Sequence, residues 1–238
     1  MLSRSWTSVL PIYVWVIDHP AGTILVDTGP KPTAEWRYPT YHFYYPLAYR
    51  TRVGATEGIV TGIDEIGMTV DDIDMIFLTH IHPDHAEGID LIPNVPIYID
   101  ENAFNYAGSL RGRFWGEHPS LRPDPERAEP VSLTGDPVGT FDRSYELVDG
   151  VSIIPTPGHT AHHRSVAVEG DGPTVCIAAD ACMQLTQLDT GSVDGVSTRL
   201  AAGRDTLDRI ARWRREEEVI VLPSHDSRGY DKLMQARS

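Results

Sequence analysis

The sequence predicts a layered α/β protein, and three observations carry that expectation. Short β-branched and aromatic runs of strand length recur along the 238 residues, at 12–17, 23–26, 75–78, 95–99, 151–155, 165–168, 174–179 and 219–222. Between them stand stretches with helical spacing or helix-like composition, at 58–67, 101–110 and 198–218. Finally, four apolar runs lead into side chains that can bind a metal: His80, His159, Asp180 and His225. Strand ends are where a layered α/β protein assembles a site from distant parts of its chain.

Composition narrows the class. Hydrophobic residues make up 41% and charged residues 23% of the chain, the balance of a folded globular protein. A net charge of -14 argues against nucleic acid and against anionic membranes as partners. The densest basic run, Arg209, Arg212, Arg214 and Arg215, is followed at once by Glu216, Glu217 and Glu218, so it reads as a solvated helix face. Cys176 and Cys182 are the only cysteines and suggest no disulfide scaffold. No apolar run approaches the ~18 residues of a membrane span, and the N-terminus lacks a secretory h-region. The expectation is a cytoplasmic protein with a single domain over residues 1–238 and no membrane contact.

In chain order, 12–17 and 23–26 read as a hairpin joined by Asp18-His19-Pro20-Ala21-Gly22. The second strand runs into Asp27-Thr28-Gly29. Asp27 caps a turn there or orients a metal-ligating imidazole; the residues leave both readings open. Residues 36–49 hold Trp36, Tyr38, Tyr41, Phe43, Tyr44, Tyr45 and Tyr49 without helical or alternating period, which reads as a long loop. Such aromatics need cover from their own domain, from an apolar substrate or from a second subunit. Tyr41, Phe43 and Tyr45 are the candidate substrate contacts, and a homodimer contact is the favoured quaternary reading. Ile59, Val60, Ile63 and Ile66 lie on one helix face. Residues 111–140 read as an irregular connection, with His118 on the surface. The helix at 198–218 places Leu200, Leu207, Ile210, Ala211 and Trp213 on its apolar side.

The densest chemistry lies in Thr79-His80-Ile81-His82-Pro83-Asp84-His85-Ala86-Glu87-Gly88. His80 and His82 can point the same way because side chains alternate along an extended chain. Pro83 stops the strand and turns the chain, so Asp84 and His85 can reach the same place from another side. Imidazoles and a carboxylate at this spacing read as a metal site.

His80-Ile81-His82-Pro83-Asp84-His85 matches the HxHxDH signature of the metallo-β-lactamase superfamily, and Thr156-Pro157-Gly158-His159-Thr160 resembles its PGHT segment. Asp27-Thr28-Gly29 resembles its early DTG, while Asp180 and His225 fall in the expected order. The resemblance runs from about Pro11 to Asp226, and the opening at 11–20 and the Ser224-His225-Asp226 ending look most like the N-acyl homoserine lactone lactonases. It implies a four-layer αβ/βα sandwich holding two divalent metals along one sheet edge. One metal would be held by His80, His82 and His159, the other by Asp84, His85 and His225, with Asp180 bridging both. His163, which keeps the final His of the PGHT region, is placed with Asp27 behind the ligands. Zinc suits this ligand set first, while iron, manganese and cobalt are admitted.

The implied chemistry is opening of a lactone ring, an N-acyl homoserine lactone or another γ-lactone, by a metal-bridging hydroxide. Asp84 would pass a proton to the departing alkoxide, and Asp180 would hold both metals. His82, where oxygen-reducing relatives typically place Glu, favours hydrolysis over redox chemistry. Met183 stands where a substrate-binding Tyr is common, Glu87 where a Gly is common, and His162 where a Gly is common. The alternatives are a thioester hydrolase of the glyoxalase II kind, a phosphoester hydrolase, and a metal-binding module without catalysis. Lys31 and Lys232 as the only lysines speak against the cationic pocket a thiol-cofactor thioester would need.

Overall fold

The structure is a computed structural model that describes residues 9–32, 53–54, 56–110, 112 and 119–236. The aromatic segment 36–49, with Tyr41, Phe43 and Tyr45, lies outside the described residues, as does His118.

Two five-stranded sheets form the framework. The first contains β1 (Trp15–Ile17), β2 (Ile24–Val26), β3 (Met75–Leu78), β4 (Ile97–Asp100) and β5 (Ala128–Val131), in that spatial order. Its β1–β2 hairpin is antiparallel and its remaining pairs are parallel. The second contains β6 (Tyr145–Val148), β7 (Val151–Pro155), β8 (Arg164–Val168), β9 (Thr174–Ala179) and β10 (Val219–Pro223), ordered β10-β9-β8-β7-β6. Only its β10–β9 pair is parallel. Among the described residues the α-helices are α1 (Ile59–Glu65), α2 (Pro83–Ala86), α3 (Glu101–Ala107), α4 (Thr186–Thr190), α5 (Leu200–Glu216) and α6 (Ser227–Ala236).

Alternation along each strand sorts the apolar residues into three cores. Ile24, Val26 and Phe77 of the first sheet meet Val151, Ile153, Val166, Ile177 and Leu222 of the second, so the sheets pack face to face. On the outer side of the first sheet, Leu25, Ile76, Leu78, Ile97 and Ile99 pack with Ile59 and Ile63 of α1 and Ala103, Phe104 and Ala107 of α3. On the outer side of the second, Ile154, Ala167, Cys176, Ala178 and Val221 pack with Leu207, Ile210, Ala211 and Trp213 of α5. The result is the expected four-layer αβ/βα sandwich. Strands covered on both faces must be apolar at consecutive positions, which is why they stand out as uninterrupted runs.

A buried ion pair also ties the sheets together. Arg164, at the start of β8, donates from Nε and Nη2 to Oδ2 of Asp100, at the end of β4, at 3.0 and 2.6 Å. The other oxygen of Asp100 accepts from the backbone N–H groups of Asn102 and Ala103 and so caps α3.

The structure departs from the sequence expectation in several places. Residues 111–140 are not wholly irregular, because β5 lies within them and pairs with β4. β6, which is not among the runs marked in the sequence, pairs antiparallel with β7. Leu200 is 59% exposed instead of facing the core, because it occupies the first turn of α5. Among the described residues no helix is long and apolar enough to cross a membrane. Cys176 and Cys182 are free and buried, and burial pushes the Cys176 thiol up to about 12, which keeps it protonated and unreactive.

Candidate metal centre

β3 ends at Leu78, one residue before the metal-binding stretch begins. The chain bends at Thr79 and is extended at His82, with Ile81 fully buried between the two histidines. Just past the hydrogen-bonded ladder the two side chains meet: His80 Nε2 lies 3.1 Å from His82 Nδ1. Pro83 occupies the first turn of α2, where its missing N–H costs nothing. That single helical turn carries Asp84 and His85 back to the site.

The second sheet delivers the remaining groups. The turn after β7 brings His159, whose Nε2 lies 2.9 Å from His82 Nδ1. Asp180 follows β9 directly, after Ala179 in a left-handed conformation with φ 46°. Such a backbone costs of order 1–3 kcal/mol in a non-glycine residue and is concentrated at functional sites. His225 follows β10, and its Nδ1 lies 2.8 Å from the carbonyl of Pro11.

Asp180 stands between two groups of imidazoles. Its Oδ2 lies 3.3 Å from His159 Nε2, while its Oδ1 lies 3.1 Å from His225 Nε2 and 3.4 Å from His85 Nε2. Asp84 Oδ2 lies 3.7 Å from His225 Nε2 and 3.9 Å from His85 Nε2. Ligand atoms of His80, His82 and His159 fall within 4.8 Å of one another, as do those of Asp84, His85 and His225, and those of His80, His85 and Asp180. All seven side chains are buried.

The electrostatics of these side chains divide the site in two. Burial, followed by the neighbouring imidazoles, holds His80 well below the ordinary imidazole value, and burial with His159 takes His82 down to about 3. Burial would lower His225 as well, but the carboxylates of Asp180 and Asp84 overcome it and raise the group to about 9. Against the same burial, His85 is raised by Asp180, Asp27 and Asp84, and His159 by Asp180 and Asp194. Asp180 is held well below the carboxylate range: His225, His85 and His159 outweigh its desolvation.

The described residues do not by themselves satisfy this cluster. Nε2 of His85, Nε2 of His225 and Oδ1 of Asp180 are buried without hydrogen-bond partners among the described residues. Buried polar atoms are almost always paired, and facing imidazole nitrogens and a carboxylate oxygen are the atoms a divalent cation satisfies. The donor set fits two such ions.

Asp27 resolves toward the second of its two readings. Its Oδ2 lies 2.7 Å from Nδ1 of His85, and its carboxylate also accepts from the backbone N–H and hydroxyl of Thr79. Asp27 adopts φ 63°, a conformation its short polar side chain tolerates. The next residues are stitched to the α2 turn: Thr28 N–H donates to the carbonyl of His85 at 2.7 Å. Gly88 approaches so closely that a Cβ there would lie 2.3 Å from the Thr28 carbonyl oxygen. His163 sits behind the ligands, its ring 5.0 Å from that of His80 and its Nδ1 2.9 Å from the Thr156 hydroxyl.

Other expectations resolve differently. Glu87 accepts from the backbone N–H of Lys31 and lines a cavity of about 160 Å³ with Lys31, Asp90, Arg122 and Arg127. None of the seven candidate metal ligands lines that cavity, so the charge of Glu87 is directed elsewhere. Met183 is half-buried just past the turn that holds Asp180. Two contributors escaped the sequence reading. Thr79 bonds Asp27 and also lies 3.0 Å from Nδ1 of His80, and Asp194 faces His159 from a loop without motif or period.

The sequence profile of the Metallo-beta-lactamase superfamily matches residues 7–225. The chain belongs to this superfamily. Among curated relatives, it is 25% identical to an N-acyl homoserine lactonase of Bacillus cereus over 220 residues, covering 91% of this chain and 82% of that protein. It is also 25% identical to the N-acyl homoserine lactonase AiiB of Agrobacterium fabrum over 236 residues, covering 95% of this chain and 83% of AiiB. Among solved structures, an N-acyl homoserine lactone hydrolase with N-hexanoyl-L-homoserine at its catalytic metal center superposes with a TM-score of 0.78. That pair shares 22% identity, and the alignment covers 97% of this chain and 87% of the other.

Proposed function

We propose that this member of the superfamily is a two-metal hydrolase that opens lactone rings, with N-acyl homoserine lactones as its substrate class. The observation that carries the proposal is the placement of Asp180, which offers one oxygen to each of two imidazole groups. The lactonase activity named for the relatives supports the substrate class.

His80, His82 and His159 would hold one ion, Asp84, His85 and His225 the other, and Asp180 both. Zinc is the ion we assign, on the strength of imidazole and carboxylate ligands. When bound, two such ions supply Lewis acidity toward a carbonyl and a water acidic enough to ionise at neutral pH.

The protein's own groups supply the rest. Asp27 fixes the tautomer of His85 by accepting a hydrogen bond from its Nδ1–H, so that Nε2 faces the site as a ligand. The Pro11 carbonyl does the same for His225. Asp84, beside His225 and His85, is the carboxylate we assign to carry a proton to the departing alkoxide. In the balanced reaction, water adds to the carbonyl carbon, the ring C–O bond breaks and the alkoxide is protonated. The new carboxylic acid then ionises and releases one proton.

Metal analysis of protein purified without chelators should find about two ions per chain. A pH-indicator assay should then show acid release from acyl homoserine lactones in preference to thioesters and phosphoesters. Fully metallated protein that turns over no lactone of any chain length would overturn the substrate assignment and leave the two-metal site standing.

A further inference from the structure

We propose that Asp194 is the positioning residue for His159, holding that imidazole's ring and tautomer as Asp27 holds His85. The inference rests on the two-metal reading above. Nε2 of His159 is turned into the cluster, 2.9 Å from His82 Nδ1 and 3.3 Å from Asp180 Oδ2, so Nδ1 faces away. The outward nitrogens of His80, His85 and His225 each have a partner, in Thr79, Asp27 and Pro11. Nδ1 of His159 is buried and, among the described residues, has none. The carboxylate facing it is Asp194, with Oδ1 at 3.8 Å and a side chain only 15% exposed.

Asp194 is held ready for that role. Its Oδ1 accepts from the backbone N–H of Val196 at 3.0 Å and its Oδ2 from the Ser197 hydroxyl at 2.7 Å. Each oxygen has more than one lone pair, so these bonds leave room for an imidazole N–H. The loop carrying Asp194 is fastened to the turn carrying His159. Thr198 N–H donates to the carbonyl of His159, and Arg199 N–H to that of Gly158, both at 2.9 Å. Gly158, at φ 154°, packs so tightly on α5 that a Cβ would lie 2.3 Å from the Gly203 Cα. Ring and carboxylate thus ride on two joined turns, and a charged N–H···O bond of ~2.7–2.9 Å is within about one ångström. Ligation through Nε2 leaves the proton on Nδ1, where a carboxylate fixes the ring and raises its basicity.

The test is stepwise chelator competition for zinc on the full chain, comparing wild type with Asp194→Ala, Asp194→Asn and His159→Ala, and visible spectra of the cobalt-substituted forms. Asp194→Ala should weaken one of the two ions by about 10–100-fold, the same ion that His159→Ala loses, and leave the other at wild-type affinity. Asp194→Asn, which keeps an acceptor oxygen and the shape, should recover part of that loss. The cobalt bands of the weakened site should shift while the unfolding midpoint of the metal-free protein stays put. Wild-type affinity for both ions in Asp194→Ala would overturn the inference, as would equal weakening of both with a lowered metal-free midpoint. Wild-type protein that binds no second ion would overturn the two-metal reading and this inference together.

Discussion

Asp27 and His85 are separated by 58 positions in the chain yet form a 2.7 Å contact between Oδ2 and Nδ1 with both side chains buried. The opposite nitrogen of His85 faces Asp180, so the ring is held between two carboxylates. Asp27→Asn should therefore weaken the ion at Asp84, His85 and His225 by about 10–100-fold and spare the other. Stepwise removal of zinc by a chelator of known affinity would show this. Equal retention of both ions would contradict it.

Metal uptake should expel protons. In the metal-free protein His225 titrates at about 9 and His85 well above its ordinary value, so both carry protons at neutral pH. A metal needs them neutral. Calorimetric titration with zinc, repeated in buffers of different ionisation enthalpy, should report proton release at pH 7. Apparent affinity should fall further as the solution is acidified from pH 9.

The metal-free protein should be most stable near pH 6.5, the ordinary value of its imidazoles. His82 has a folded value of about 3, below the unfolded one. The unfolded chain therefore binds more protons between these values, and stability is lost as pH falls from 6.5. His225, raised to about 9, has the opposite sign: its contribution is full below 6.5 and is lost as pH rises through 9. Thermal midpoints measured in chelator across pH 5–9.5 should trace this maximum, and added zinc should lift the alkaline side most.

Arg164→Ala should destabilise the protein by about 3–5 kcal/mol, because it leaves the buried Asp100 carboxylate without its cation. Denaturant unfolding would measure the loss. Arg164→Met paired with Asp100→Asn should recover part of it, since the neutral amide still accepts from the N-terminus of α3.

Legibility in the sequence followed burial. β3 and β9 were read at their observed bounds because both faces of each are covered, which makes Met75-Ile76-Phe77-Leu78 and Thr174–Ala179 nearly uninterrupted. β5 was missed because Glu129 and Pro130 are exposed on an edge strand whose apolar content is slight. The seven candidate ligands were legible because each is a strong donor type in a motif or next to a strand end. Asp194 was not, since an aspartate in a connecting loop resembles any turn residue until the fold brings it to His159. Thr79 stood in plain view, but nothing in its spacing tells that its hydroxyl would touch both Asp27 and His80.

The contact between the Pro11 carbonyl and His225 joins positions 214 residues apart, and it bears on how the centre is built during synthesis. His80, His82 and His159 all precede His225 in the chain, so the first group is made before the other, which waits for His225. A growing chain can thus complete one half of its metal centre long before the other. The second half closes only when β10 docks and the residues after it reach the Pro11 carbonyl.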